Sequence, residues 1–384
     1  MSETKSANKL HFLDSLRGIA ALVVVLGHFH IAFGMKHYTK GVKDIISIFT
    51  TYTILYGSFA VCLFFVLSGF VLSVHYFKSY SNEILIKQSI KRYPRLFLPV
   101  LVTSFIYWLV QRFGFFQNLE VVKITSSEWF SGFWIHSYTF KQLVLRCGYD
   151  LMFFNEQTFC NNINTSLWTM PIELKYSFLL FASLFVIRNM SHLWLYNLVI
   201  LALIFIWKDS NFIFYFAFML GINIAYFYVN MPQKEISKTR FYVLLIFSAI
   251  IGTLPFQSLI VNADMGTIMR CISASFIIYL ALYYKPLQNF LTHKVLLFLG
   301  EMSFSLYLIH ALVLGTVSSY IFLYLHNLGI HYQINYGISL LVTIAFSIFL
   351  GKIVHQFIDV PSIKISNFVY NTYNSIRNKV FFNK

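Results

Sequence analysis

The sequence predicts an all-α integral membrane protein: about ten transmembrane helices in a single bundle, with both termini in the cytoplasm. Three observations predict it. Of the 384 residues, 58% are hydrophobic and only 11% charged, with a mean hydropathy of +0.67, which excludes a string of soluble domains. Ten apolar stretches approach the roughly 20 residues that a spanning helix needs: 12–33, 54–76, 96–113, 167–187, 191–207, 211–229, 241–260, 266–284, 295–323 and 334–358. With the N-terminus inside, lysine and arginine in the cytoplasmic connections outnumber those in the external ones by about two to one, as the positive-inside rule requires. The net charge of +15 therefore sits in loops beside spans, where it meets anionic lipid headgroups; no nucleic-acid partner is implied. One membrane domain is expected over 12–361, between a cytoplasmic segment 1–11 and a basic cytoplasmic tail 362–384. No cleavable signal peptide is expected, because the first ten residues are polar and Arg17 interrupts the apolar run that follows.

The first span carries two titratable groups, Arg17 and His28. Eleven helical residues turn through about 1100° and rise about 16 Å, so both side chains share one face, one near a membrane surface and one past the middle. An ionisable group inside a span costs roughly 2.5–3.5 kcal/mol on insertion scales and is by default a functional candidate. The plainer readings are an arginine snorkelling to the interface and a histidine satisfied by helix packing. In the second span Ser68-Gly69-Phe70 combines a hydroxyl with a glycine at which another backbone can approach closely. The following cytoplasmic loop ends in Lys91-Arg92-Tyr93-Pro94-Arg95, with Pro99 four residues on; the prolines are expected to fix where the third span begins. Arg92 and Arg95 suit phosphate oxygens, and topology alone also places basic residues there.

The longest connection, about 114–166, is expected outside as an aromatic loop carrying Trp129, Trp134 and Tyr138, either an acceptor-binding lid or an interfacial segment. It also holds Cys147 and Cys160, between which a disulfide is chemically open. The four cysteines have no metal-ligand spacing, and no metal is expected. The fourth span opens with Ser166-Leu167-Trp168-Thr169-Met170-Pro171-Ile172-Glu173; the proline breaks or starts the helix there. Glu173 would orient His28, or pair with Arg17, Lys175 or Arg270. Spans five to eight read as scaffold. In the ninth, Ser303, Tyr307 and His310 fall within about 80° of Gly300's face, which suggests a cavity wall or interhelical hydrogen bonds.

These motifs resemble the acyltransferase-3 family of multi-pass membrane O-acyltransferases, typified by bacterial enzymes that O-acetylate surface polysaccharides. The resemblance rests on Asp14 and Leu16-Arg17-Gly18 with ten residues between Arg17 and His28; Phe65 to Phe70; Arg92-Tyr93-Pro94-Arg95; Ser166-Leu167-Trp168 followed by Glu173; Gly300 to His310; and the acidic-x-Pro of Asp359-Val360-Pro361. It implies a catalytic role for His28 and Arg17, a cytoplasmic arginine pair at Arg92 and Arg95, and acetyl-CoA or another acyl-CoA as co-substrate, with no bound cofactor. Asp359 stands where Glu is usual, and Ser303-Phe304 where Ser-Tyr is usual; the hydrolase-like external domain that some members carry after the spans is not expected here. On this reading an acyl group moves from cytoplasmic acyl-CoA to a hydroxyl of a surface polysaccharide or lipid-linked saccharide in a bacterial cytoplasmic membrane. Neutral imidazole is the side chain suited to take that proton, so His28 is the expected general base, with Glu173 assisting. Ser68 joins Arg92 and Arg95 on the donor, and Trp168, Ser303, Tyr307 and His310 are expected to line the substrate cavity. The alternative is a proton-coupled exporter of a glycan intermediate, which paired half-repeats would favour; none is visible.

Overall fold

The computed structural model describes residues 10–34, 57–154, 157–188, 193–207, 211, 213–232, 234–253 and 263–381. Among the described residues there is helix and no strand. The chain runs α1 (His11–Phe33), α2 (Gly57–Ser79), α3 (Asn82–Arg112), then the short α4 (Asn118–Thr125), α5 (Glu128–Ser131), α6 (Phe140–Leu145), α7 (Leu151–Phe154) and α8 (Gln157–Ile163). It continues through α9 (Thr169–Ile187), α10 (Leu193–Trp207), α11 (Ile213–Asn230), α12 (Lys238–Thr253), α13 (Ala263–Tyr283), α14 (Lys285–Leu291), α15 (Lys294–Glu301) and α16 (Ser303–Val313). The last three helices are α17 (Ser319–Asn327), α18 (Tyr332–Val354) and α19 (Val360–Phe381). Among the described residues eight helical stretches are long and apolar enough to cross a membrane. The other two predicted segments are helical but short: α10 has 15 residues and α12 has 16.

Small residues let the spans cross closely. A Cβ on Gly18 of α1 would stand 2.5 Å from the Gly300 nitrogen and the Leu299 carbonyl carbon of α15. One on Gly69 of α2 would stand 2.4 Å from the Phe218 oxygen of α11, and one on Gly221 would meet the Val66 oxygen at 2.3 Å. No side chain fits at either crossing, so backbone packs on backbone. The first of these crossings seats Asp14 and Arg17 beside the end of α15.

Two boundaries differ from those the sequence suggests. α3 does not start near residue 96; it is one helix of 31 residues running through Pro94 and Pro99. At about 46 Å it exceeds the hydrocarbon thickness, and proline is tolerated in a spanning helix whose freed backbone groups neighbouring segments can re-satisfy. Its N-terminal part is flanked by α19, which continues helically where a basic tail was expected. The two run antiparallel, with Ser362 against Arg95, Tyr370 against Lys87 and Lys91, and Arg377 paired with Glu83. The second difference lies in the predicted ninth span, which is interrupted at Met302, whose φ of −95° and ψ of 6° end α15 and start α16.

The 114–166 connection is largely helical, and its second half lies along α3. Trp108 Nε1 donates to the Tyr138 carbonyl, the Phe105 and Phe140 rings meet, and Tyr93 Oη donates to the Gly148 carbonyl. Phe153 stacks on Tyr93. The segment therefore descends antiparallel to α3, and Phe140, Leu145, Tyr149, Phe153 and Phe154 point outward, an apolar face suited to lipid. Cys147 and Cys160 are separate buried thiols, not a disulfide.

Candidate active site

A cavity of about 510 Å³ opens where α1, α2, α3, α9, the α15–α16 break and the turn before α19 converge. That volume suits a cofactor-sized ligand. Its walls carry Arg17, Arg92 and Arg95 together with Asp14, Glu173, Glu301 and Asp359, and Ser68, Phe64, Thr169, Ser303 and Tyr307 complete them. Each arginine has a reason to be there. Arg17 is carried in by the Gly18–Gly300 crossing. Arg92 and Arg95 sit three residues apart on α3 and so project to the same side.

The three guanidiniums are held differently. Arg92 Nη2 pairs with Glu173 Oε1, and its Nε donates to Ser177 Oγ at 2.7 Å. Arg95 Nη1 pairs with Asp359 Oδ1 and donates to Ser362 Oγ at 2.9 Å, while His355 Nδ1 lies 3.0 Å from Asp359 Oδ2. Among the described residues no hydrogen bond or ion pair engages Arg17, whose Nε is buried and unsatisfied. Two cations are thus already neutralised, and Arg17 is the charge left for an anionic ligand. Glu173 is not the partner of His28, Arg17, Lys175 or Arg270 that the sequence left open; it belongs to Arg92. Pro171 lies in the first turn of α9, just past the short 3₁₀ segment Thr165–Trp168, where its missing N–H costs nothing.

His28 does not line this cavity. The wall of Phe64, Thr169 and Tyr307 stands between: the Phe64 and Tyr307 rings are 6.0 Å apart, and Tyr307 Oη lies 3.0 Å from both Thr169 Oγ1 and the Ser166 carbonyl. Behind Tyr307, His28 Nδ1 meets His310 Nε2 at 2.8 Å, and His310 Nδ1 meets the Tyr307 carbonyl at 2.8 Å. The other side of the His28 ring faces Trp129 of α5, with centroids 4.8 Å apart. Ser127 Oγ, just before α5, donates to the Ile31 carbonyl and fixes that segment on the end of α1.

Of the sequence-selected residues, Arg17, Ser68, Arg92, Arg95, Glu173, Ser303 and Tyr307 meet in the cavity. His28 and His310 form a pair behind it. Trp168 joins neither; its ring packs against Phe214 at 5.8 Å. Sequence reasoning did not assign Asp359, Asp14, Glu301 or Thr169 to the site. The acidic-x-Pro motif was the signal for Asp359. Among the described residues no cluster of side chains suits a metal ion.

A sequence profile of the acyltransferase-3 family, described as an acyltransferase domain, matches residues 10–352 of the 384. The chain belongs to that family. Searches of curated proteins and of solved structures returned no match. The chain is therefore a multi-pass membrane acyltransferase, and its arginine- and carboxylate-lined cavity with the histidine pair behind it is the candidate for the chemistry.

Proposed function

We propose that this acyltransferase moves a short acyl group, acetyl in the first instance, from cytoplasmic acyl-CoA to a hydroxyl of a surface polysaccharide or lipid-linked saccharide, in a bacterial cytoplasmic membrane. The observation that carries the reading is the arrangement of a guanidinium-lined cavity on one side of Tyr307 and a histidine pair on the other. A donor with phosphates at one end and a thioester at the other suits such a site. Arg17 is available to its anionic groups without breaking an existing pair among the described residues, and Arg92 and Arg95, each paired with a carboxylate, are held in fixed positions beside it. The acyl end must then pass the Phe64–Thr169–Tyr307 wall to reach His28.

In the reaction the acceptor oxygen attacks the thioester carbon while His28 takes the hydroxyl proton. The C–S bond then breaks, and the proton passes from the imidazolium to the departing thiolate, so that ester and free CoA thiol leave the site. Trp129, against the outer side of His28, offers an apolar face for a sugar ring. The test is the ester content of surface glycans, by NMR and mass spectrometry, in cells expressing wild type, His28→Ala at equal level, or no protein. Loss of one defined ester in the last two supports the reading. Equal ester content in all three overturns it for that host's glycans.

A further inference from the structure

The proton positions in the histidine pair follow from what each nitrogen faces. A carbonyl oxygen only accepts, so the 2.8 Å contact between His310 Nδ1 and the Tyr307 carbonyl places the proton on His310 Nδ1. With His310 neutral, its Nε2 then carries a lone pair and can only accept. The atom 2.8 Å from it is His28 Nδ1, which must therefore be the donor. In neutral His28 that leaves Nε2 without a proton. The chain His28 Nδ1–H to His310 Nε2 and His310 Nδ1–H to Tyr307 O runs in one direction. It is anchored in backbone by α16, and His310 is fully buried. The His28 ring is clamped between His310 and Trp129, with centroid distances of 5.1 and 4.8 Å, so it has no free rotation.

We propose that His310 is a positioning residue for the acyl transfer, holding His28 in the Nδ1–H tautomer so that Nε2 is the atom that takes the acceptor's proton. The inference rests on the reading of His28 as general base. It moves His310 from the cavity wall, where its helical face had suggested it, to a place behind the base. Once His28 is protonated at Nε2, its Nδ1–H bond to His310 becomes charge-assisted, so the same contact also favours the imidazolium formed during transfer. Among the described residues no carboxylate contacts either ring: the partners of His28 are His310 and Trp129, and those of His310 are His28 and its own helix at Leu306 and Tyr307. The orienting role that Glu173 might have filled is therefore taken by an uncharged group.

The experiment measures initial rates of label transfer from [14C]acetyl-CoA into glycan in membrane vesicles, for wild type, His310→Leu, His310→Gln and His28→Ala at matched protein levels. Removing the orienting acceptor should lower kcat by about 100-fold in His310→Leu, in the range of a general base's whole contribution, with the KM for acetyl-CoA within about twofold. His310→Gln supplies a carbonyl oxygen that can accept from His28 Nδ1–H, and should recover about tenfold of that loss. Solid-state 15N NMR of the histidine-labelled wild-type protein reads the tautomer without any variant, and His28 should carry its proton on Nδ1. His310→Leu with near wild-type kcat beside an inactive His28→Ala overturns the proposal and leaves the base assignment standing. So does Gln no better than Leu, or a proton found on His28 Nε2. An active His28→Ala would instead overturn the base reading itself.

Discussion

Gly18 to Ala adds one carbon at the crossing that positions Arg17 against the α15–α16 break. The new Cβ would lie 2.5 Å from two backbone atoms of α15, where ordinary contact begins at 3.4 Å, so α1 and α15 must part by about 0.9 Å. Neither obstacle is a side chain that can swing away. Overpacking of this kind costs about 1–3 kcal/mol in a packed interior. The functional cost is larger, because α1 carries Arg17 and His28 while Gly300, on the opposing helix, leads directly into Ser303 and Tyr307. A misplacement of about 1 Å between groups that must act together lowers rates by about 100-fold. The assay is label transfer from [14C]acetyl-CoA in vesicles, with the thermal midpoint in detergent measured beside it. Gly337→Ala is the control, since a Cβ there meets nothing within 4 Å. A Gly18→Ala protein with wild-type rate and midpoint would refute the crossing as the element that aligns the site.

Three further outcomes follow from the same geometry. Arg92→Ala leaves the Glu173 carboxylate buried without its partner and should cost about 3–5 kcal/mol, whereas Arg92→Met with Glu173→Leu should restore most of the thermal midpoint, read by the same melt. Arg17→Ala, which breaks no bond among the described residues, should leave that midpoint unchanged while raising the KM for acetyl-CoA about 10- to 100-fold, the worth of one charged hydrogen bond. Cys147 is fully buried against the bundle. Maleimide should accordingly label Cys147 only on unfolding, and dithiothreitol should not shift the midpoint, because no Cys147–Cys160 bond exists to reduce.

Much of the site was legible because the membrane makes polar residues conspicuous. Arg17, Glu173, Ser303 and Tyr307 stand out from apolar runs, and all four reach the cavity. What could not be read was partnership. His28 and His310 lie 282 residues apart, and nothing in either segment announces the other. Glu173 was one of several carboxylates near several cations, and only the antiparallel packing of α9 on α3 selects Arg92. Asp359 stood in the sequence only as the acidic residue of an acidic-x-Pro motif; in the fold it closes a π-helical turn over His355–Asp359 and pairs with Arg95. The break at Met302 lies inside the predicted 295–323 span, flanked by Gly300, Glu301 and Ser303, and the backbone dihedrals there answer to tertiary packing. Likewise the amphipathic aromatics of Phe140 to Phe154 fit an interfacial loop in sequence, and only their ring contacts show that they run down α3.

The central claim is that the cavity holds the donor while His28 performs the transfer. It is tested most directly by measuring, on one preparation of His28→Ala, both acetyl-CoA binding and label transfer to membrane glycan. The account predicts binding within about twofold of wild type, because His28 is not in the cavity wall, and transfer lowered at least about 100-fold. Transfer at the wild-type rate, or loss of binding together with transfer, would contradict it.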